Sequence, residues 1–280
     1  FNECEFNNIN KIGILPYDAS ITVTKSIFDG NNQGINAIGT MPITGELKVG
    51  IEGNAESKNT FKNNYSGIYS TGVDKLRVFQ NTFKENKFGL AIIDLNSSIV
   101  KNNTFDHNTY GGTILENNNT ISNQIICNNY VSEFIGMDIK GNNQGAYINN
   151  QTFQSVYDVT LKPKGVAGQL NEFGQQGDAF LNYFSNTGNN LQHINTIGNT
   201  IQFDYFYPNL VQFPRCLPKC TFNNPNPCIA PNNLVTYETQ GFPINCNSNG
   251  GGFDDFCHTI SCLENIGISL NNLINIATQR

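Results

Sequence analysis

The sequence predicts an all-β protein, a right-handed single-stranded parallel β-helix with coils of about 22 residues and an irregular C-terminal region. Three observations predict it. Phenylalanines recur at a fixed spacing, Asn and Gly recur at fixed distances from each phenylalanine, and apolar and polar residues alternate over short stretches between them. Such alternation, broken by Asn and Gly, is typical of strands and tight turns rather than of helices.

The repeat is clearest in the spacing of the phenylalanines. Phe61, Phe83 and Phe105 lie 22 residues apart, as do Phe6 and Phe28, and we expect Cys127 to continue this column. The repeating unit reads Asn-x-Phe-x-x-Asn-x-x-Gly, and its Gly positions are Gly34, Gly67, Gly89 and Gly111. A unit this short cannot bury its own apolar side. We therefore expect coils stacked about 4.8 Å apart, with buried columns of Phe and Ile and with Asn side chains that hydrogen-bond along the axis.

These repeats carry a resemblance to a known architecture. The units NTFKNNYSGIYS, NTFKENKFGLAI and NNTFDHNTYGGTIL resemble right-handed parallel β-helix repeats, as found in pectate lyases, tailspikes and many surface proteins. More narrowly, the run from IICNNYVSEFIGMDIKG through QLNEFGQQGDAF to NTIQFDYFYP resembles secreted, Asn-rich β-helix proteins of Bacteroidota, which commonly leave the cell by type IX secretion. The resemblance implies the fold over about residues 1 to 205. It implies no particular activity, since many functions share this scaffold.

The chain divides into a parallel β-helix over residues 1–207 and a Cys- and Pro-rich region over residues 208–280. Six of the eight cysteines lie in the second region: Cys216, Cys220, Cys228, Cys246, Cys257 and Cys262. Disulfides formed in an oxidising, extracellular compartment are the natural interpretation, and a zinc site is the alternative. Cys127, as a member of the phenylalanine column, is predicted to be a buried free thiol.

Composition narrows the range of partners. The net charge of −6 gives no cationic surface for nucleic acid, and charged residues make up only 14% of the chain, against about 25% in a typical domain. Asn accounts for roughly one residue in six. No apolar run approaches the roughly 18 residues that a membrane helix needs, so we expect no membrane insertion within this segment. Because the chain begins with Phe1 rather than Met, we expect it to be a processed product or a fragment.

Enzymes that share this architecture carry acids and bases on the outward face of one strand column, as the resemblance implies. Counting from each Phe, the outward positions are expected to be Asn36, Tyr69, Ala91 and Thr113, followed by Ile38, Thr71, Ile93 and Leu115. None of these side chains is charged at neutral pH, whereas general acid–base catalysis needs a positioned proton carrier. The sequence therefore assigns no catalytic residue.

Three carboxylate residues come directly after these outward positions in the chain and recur with the 22-residue spacing of the repeat. Asp94, Glu116 and Asp138 lie 22 residues apart and are predicted to stack at the ends of successive strands. Stacked carboxylates suit a hard cation such as calcium, which would relieve their repulsion. Spacings of roughly 5 and 10 Å also bracket those of paired-carboxylate glycosidases. A solvated acidic turn is the third interpretation, and all three stay open at this point.

We expect a secreted or surface-displayed scaffold with a structural or adhesive role, located outside the cell or at its surface. Its expected partners are glycans or other cell-surface proteins. No cofactor is predicted, although calcium could occupy the carboxylate column. The first alternative is a carbohydrate-active enzyme, a polysaccharide lyase or glycoside hydrolase, that uses the stacked carboxylates. The second is a subunit of a larger cell-surface assembly.

Overall fold

The computed structural model is a parallel β-helix whose strands form three parallel sheets along one axis, as the repeat predicted. It describes residues 1–40, 45–118, 123–143, 146–149 and 151–162, residue 182, and five short strands beyond residue 162. Six coils each contribute one strand to each of the three sheets. The helical content of the described residues is one 3-10 turn, Ala55–Ser57, and none of their helices is long and apolar enough to cross a membrane.

The strands follow one another in a fixed order around each coil. The first sheet contains β1 (Glu5–Asn7), β4 (Ile27–Asp29), β7 (Thr60–Lys62), β10 (Thr82–Lys84), β13 (Thr104–Asp106), β16 (Asn129–Val131), β19 (Thr152–Gln154) and β22 (Tyr183–Phe184). The second contains β2 (Ile12–Ile14), β5 (Gln33–Ile38), β8 (Ser66–Thr71), β11 (Phe88–Ile93), β14 (Gly111–Glu116), β17 (Ile135–Lys140), β20 (Tyr157–Lys162) and β23 (Gln192–Thr196). The third contains β3 (Ile21–Val23), β6 (Glu46–Val49), β9 (Lys75–Phe79), β12 (Ser97–Lys101), β15 (Asn123–Ile126) and β18 (Tyr147–Asn149).

A further parallel sheet contains β21 (Glu172–Phe173), β24 (Asp204–Tyr207) and β25 (Leu234–Tyr237). Strand β25 lies within the region predicted to be irregular, residues 208–280, and pairs in parallel with β24. The boundary at residue 207 stays a prediction.

A column of stacked aromatic rings fills the core behind the first sheet. Neighbouring ring centroids are 4.6 to 5.0 Å apart and the rings are nearly parallel, in the order Phe6, Phe28, Phe61, Phe83, Phe105, Tyr130 and Phe153. The predicted column is confirmed from Phe6 to Phe105. Its predicted continuation is wrong, because Phe105 pairs with Tyr130 and not with Cys127. The buried hydroxyl of Tyr130 lies 3.0 Å from that of Thr113, so the polar atom that distinguishes Tyr from Phe has a partner.

Two ladders of buried amide side chains flank the aromatic column. One comprises Asn59, Asn81, Asn103, Asn128 and Gln151, and the other comprises Asn31, Asn64, Asn86, Asn108 and Glu133. In Asn86, for example, Oδ1 accepts hydrogen bonds from the backbone N–H and the side-chain amide of Asn64, both at 2.9 Å. Its own Nδ2 donates to Oδ1 of Asn108 and to the carbonyl oxygen of Phe61. Buried backbone groups at the corners between sheets are thus satisfied by the next coil's side chain.

Glycine is required where the coil turns into the second sheet. A Cβ atom on Gly89 would lie 2.6 Å from Cδ1 of Phe105 and 2.5 Å from the carbonyl oxygen of Gly112. Both distances are shorter than a real Cβ contact, so the ring of the next coil packs directly against this backbone. The repeat predicted Gly111 for this column, but the register Leu90↔Thr113 shows that Gly112 occupies it. The coil after Phe105 therefore contains one extra residue before β14.

In the second ladder, the carboxyl group of Glu133 takes the place of an amide. Its Oε1 accepts hydrogen bonds from the backbone N–H and the side-chain amide of Asn108, at 3.0 and 2.8 Å. No described residue donates a hydrogen bond to its buried Oε2. Burial raises the pKa of Glu133 to about 8, despite the two bonds from Asn108 that lower it, and the nearby Asp106 carboxylate raises it further. This carboxyl group is therefore largely protonated at neutral pH.

Replacement of one ladder amide tests how much the ladders contribute to stability. Asn86→Ala leaves buried donors and acceptors of Asn64, Phe61 and Asn108 without partners, so we expect the free energy of unfolding to fall by about 3 kcal/mol or more. Asn32→Ala is the matched control, since Asn32 is exposed. Denaturant unfolding followed by circular dichroism measures both. Equal losses in the two variants would contradict a stabilising role for the ladder.

The pH dependence of stability tests the protonated state of Glu133. The folded pKa, about 8, lies above the ordinary value of 4.5. The unfolded chain therefore releases its proton first, and stability falls as the pH rises from about 4.5 to 8 and stays low above that range. Glu133→Gln removes this dependence. The gain in denaturant midpoint of the variant over the parent should therefore be clearly larger at pH 9 than at pH 5. The exposed Glu85→Gln should show no such divergence, and parallel pH profiles for parent and Glu133→Gln would overturn the assignment.

Candidate binding face on the second sheet

The three carboxylates predicted to stack lie in three different columns. Glu116 pairs with Ile93 and with Lys140, whereas Asp138 pairs with Ile114. Asp94 follows the end of β11, one position beyond Ile93. The predicted stack is therefore wrong, because the spacing between aligned residues is not constant at 22 after β11. Among the residues that the structure describes, no group of three or more His, Cys, Asp or Glu side chains could hold a metal ion. Calcium binding stays a prediction without this geometric basis.

Asp94 has a conformational role at a corner. Its φ of 52° is left-handed, and the neighbouring coils place Gly72, Asn117 and Gly141 at the same corner with φ values of 65°, 57° and 66°. The hydrogen bond from the Asp94 N–H to the carbonyl oxygen of Glu116 places these residues in successive coils. Gly, Asn and Asp adopt this backbone conformation at the least cost.

Asp138 lies on the outward face that the sequence analysis described as free of charged side chains. The central column of that face runs Asn36, Tyr69, Ala91, Ile114, Asp138 and Thr160. The prediction is confirmed for Asn36, Tyr69 and Ala91 and is wrong for Thr113 and Leu115. The one-residue insertion turns both of these inward, where their exposed fractions are 0% and 1%. A neighbouring column, called here the edge column, runs Ile38, Thr71, Ile93, Glu116, Lys140 and Lys162.

Two lysines of the edge column converge on Asp138. Nζ of Lys162 lies 3.0 Å and Nζ of Lys140 lies 3.4 Å from Oδ2 of this carboxylate, which is fully buried. Lys162 also donates to the hydroxyl oxygen of Tyr110 at 3.2 Å, and its Nζ lies 5.5 Å from the centre of that ring. Burial lowers the pKa of Lys162, but the hydrogen bonds with Asp138 and Tyr110 outweigh it, so that the pKa is raised. Lys162 is therefore cationic at neutral pH.

Two polar atoms beside this ion-pair cluster have no hydrogen-bond partner among the described residues. No described residue forms a hydrogen bond with Oδ1 of Asp138 or with Oγ1 of Thr160, and both atoms are buried. The two residues are directly paired between β17 and β20. A buried carboxylate oxygen without a donor is costly, so this part of the face has an unmet requirement for a hydrogen-bond donor.

A strip of aromatic side chains lies at the corner between the first and second sheets. We call Tyr65, Phe88, Tyr110, Phe134 and Tyr157 the aromatic strip, because five successive coils contribute one residue each. Ring centroids are 5.6 Å apart for Tyr65 and Phe88, 4.8 Å for Phe88 and Tyr110, and 5.5 Å for Phe134 and Tyr157. Tyr65 is 50% exposed and Phe134 48% exposed. Nζ of Lys87 lies 4.6 Å from the centre of the Tyr65 ring.

The sequence analysis did not identify the aromatic strip or the two lysines. A signal for the strip exists in the sequence, since an aromatic residue follows each column ring from Phe61 to Phe153 by four or five positions. Lys140 and Lys162 have no comparable signal. The contact of both lysines with Asp138 depends on the longer spacing between β14 and β17, which the 22-residue repeat does not predict.

The cysteines that the structure describes are Cys4 and Cys127. Cys4 is free, whereas Cys127 is disulfide-bonded to a partner outside the described residues. The prediction of a free thiol at Cys127 is therefore wrong. Cys127 lies at the corner that follows β15, in a left-handed conformation with φ of 57°. The six C-terminal cysteines, with their predicted disulfides or zinc site, lie outside the described residues.

Comparison of the chain with protein-family models, with curated proteins and with solved structures finds no match. The assignment of a function therefore depends on the geometry of the second sheet and its flanking corner.

Peptide mapping without reduction tests the state of the cysteines. We expect Cys127 in a disulfide-linked peptide with one of the six C-terminal cysteines, and Cys4 alkylated by iodoacetamide in the folded protein. Cys127→Ser should lower the thermal unfolding midpoint, because removal of a native disulfide typically costs about 2–5 kcal/mol. Cys4→Ser is the control and should leave it unchanged. Quantitative alkylation of Cys127 in the unreduced protein would contradict the disulfide.

Proposed function

We propose that this protein is an extracellular β-helix scaffold that binds glycans along the aromatic strip and the outward face of the second sheet. The observation that carries the proposal is the strip itself: five aromatic residues on five successive coils, with Tyr65 and Phe134 about half exposed. The stacked coils fix the positions of these rings. A rigid array of this kind suits an extended ligand with a repeating structure.

The chemistry of the strip favours a sugar chain. Pyranose rings present apolar C–H faces and polar edges, so they pack well on aromatic rings that carry a polar tip, as Tyr does. Tyr65 and Phe134 are separated by three coils, or roughly 14 Å at the usual strand spacing. The ammonium group of Lys87 adds a hydrogen-bond donor beside Tyr65. The strip thus offers two exposed aromatic faces, at Tyr65 and Phe134, and a hydrogen-bond donor beside the first.

An oxidising compartment is part of the proposal. The disulfide at Cys127 supports it, since disulfides persist mainly outside the reducing cytosol. The low charge of the chain also suits a surface that interacts through hydrogen bonds. The resemblance to secreted Asn-rich β-helix proteins of Bacteroidota extends the proposal to export by type IX secretion and to an adhesive role at the cell surface.

Binding assays with strip variants test the proposed function. We expect the parent protein to bind one or more oligosaccharides in an isothermal titration panel of hexasaccharides of cellulose, xylan, mannan, chitin, polygalacturonate and polymannuronate. Tyr65→Ala and Phe134→Ala should each weaken binding by about ten-fold, since exposed aromatic anchors dominate such contacts.

Ile51→Ala is the control for the strip variants. Ile51 is also exposed, at 43%, but lies at the corner after the third sheet, so its replacement should leave binding unchanged. Absence of binding by the parent protein across the panel would overturn the proposal. Equal loss in the Ile51 variant would show that the strip is not the binding site. Dissociation of an oligomer by Tyr65→Ala, without sugar binding, would favour the assembly-subunit alternative instead.

A further inference from the structure

We infer that Asp138, Thr160 and Lys162, beside Tyr110, form a subsite that selects neutral sugars through their hydroxyl groups. This inference depends on the proposed function and specifies its ligand. It starts from an unmet requirement in the structure. Oδ1 of Asp138 is buried and no described residue donates a hydrogen bond to it, while Oδ2 of the same carboxylate has two lysine partners.

The unpartnered atoms match the hydroxyl groups of a sugar. An ionised carboxylate oxygen accepts hydrogen bonds and cannot donate them, so the ligand must bring a donor to Oδ1 of Asp138. Oγ1 of Thr160, which also has no described partner, can donate or accept. Thr160 pairs directly with Asp138 across the adjacent strands β20 and β17. A vicinal diol offers one hydroxyl to each of these atoms.

Lys162 completes the subsite and connects it to the aromatic strip. The ammonium group has three donors, and two of them are used by Oδ2 of Asp138 and by the hydroxyl oxygen of Tyr110. The third remains for a sugar oxygen. Since the same Nζ lies 5.5 Å from the centre of the Tyr110 ring, a sugar that accepts this bond lies at the strip. The side chains of Lys140 and Lys162 are 26% and 20% exposed, so a ligand can reach the subsite from this edge.

The charge balance favours a neutral ligand over an acidic one. Asp138 and Glu116 carry two negative charges, and Lys140 and Lys162 carry two positive charges in the same two columns. Both ammonium groups already contact a carboxylate oxygen. A uronic acid would place its carboxylate beside Asp138 without an unpaired cation to offset the repulsion. A neutral pyranose has no such cost.

Two replacements and the hexasaccharide panel test the subsite. Thr160→Val keeps the volume of the side chain and removes a buried hydroxyl that has no described partner, so the thermal midpoint should stay the same or rise. Affinity for the neutral hexasaccharide that the parent binds best should nevertheless fall about five-fold. Asp138→Asn should weaken it about ten-fold, because the hydrogen bond to a charged oxygen is stronger. Thr82→Val, on the outward face of the first sheet, is the control and should bind normally.

The outcomes separate this inference from the proposed function. Unchanged affinity in both Thr160→Val and Asp138→Asn, together with weak binding by Tyr65→Ala, would overturn the subsite and retain the strip. Tighter binding of polygalacturonate or polymannuronate than of every neutral probe would overturn the selectivity for neutral sugars. No binding by the parent would overturn both. Loss of affinity in Thr160→Val with an unchanged midpoint is the result that supports the subsite, because a purely structural role predicts no change in binding.

Discussion

Buried hydrogen bonds between amide side chains of successive coils are the interaction on which this structure depends. The two corners that flank the aromatic column leave buried backbone N–H and carbonyl groups that the sheets do not pair. An Asn from the next coil satisfies one of each, as Asn86 does for the N–H of Asn64 and the carbonyl of Phe61. Because each amide also bonds to the next amide, coils can be added without leaving buried groups unsatisfied. The ladders account for part of the high Asn content of the chain.

The ladders fix the corners, and insertions between them decide which residues face outward. The coil between Phe28 and Phe61 is eleven residues longer than its neighbours, yet the two rings stack at 4.6 Å. The additional residues extend the loops before and after β6. In the coil after Phe105 a single extra residue before β14 turns Thr113 inward and Ile114 outward. This insertion places Glu116 in the edge column, and the longer spacing between β14 and β17 places Asp138 in the central column. The chemistry of the outward face thus depends on insertions that leave the core nearly unchanged.

The core could be predicted from the sequence, whereas the candidate site could not. Phe61, Phe83 and Phe105 repeat at a constant spacing because each must lie over the last, so periodicity identifies them directly. Asp94, Glu116 and Asp138 share the same spacing by coincidence, and the longer spacings between aligned residues after β11 place them in different columns. Within the core, the position of Tyr130 could not be predicted from the spacing either. Tyr130 takes the place of a Phe, and its buried hydroxyl needs a partner. Thr113 supplies that partner, and the two residues are 17 apart in the chain. Such a pair is recognisable only once the register is known.

Glu133 and Asp138 show how the position of a carboxyl group determines its chemistry in this fold. Glu133 continues a ladder inside the coil, where the amide of Asn108 is its hydrogen-bond partner and no described residue forms an ion pair with it, so burial favours the protonated form. Asp138 is equally inaccessible, but it lies outside the second sheet, where the long side chains of Lys140 and Lys162 can reach it. One buried acid is therefore neutral and supports the interior, whereas the other is paired with cations and has one oxygen without a described donor. An ionised group with an unused acceptor is the stronger candidate for contact with a ligand, since only there does an added hydrogen bond relieve an existing cost.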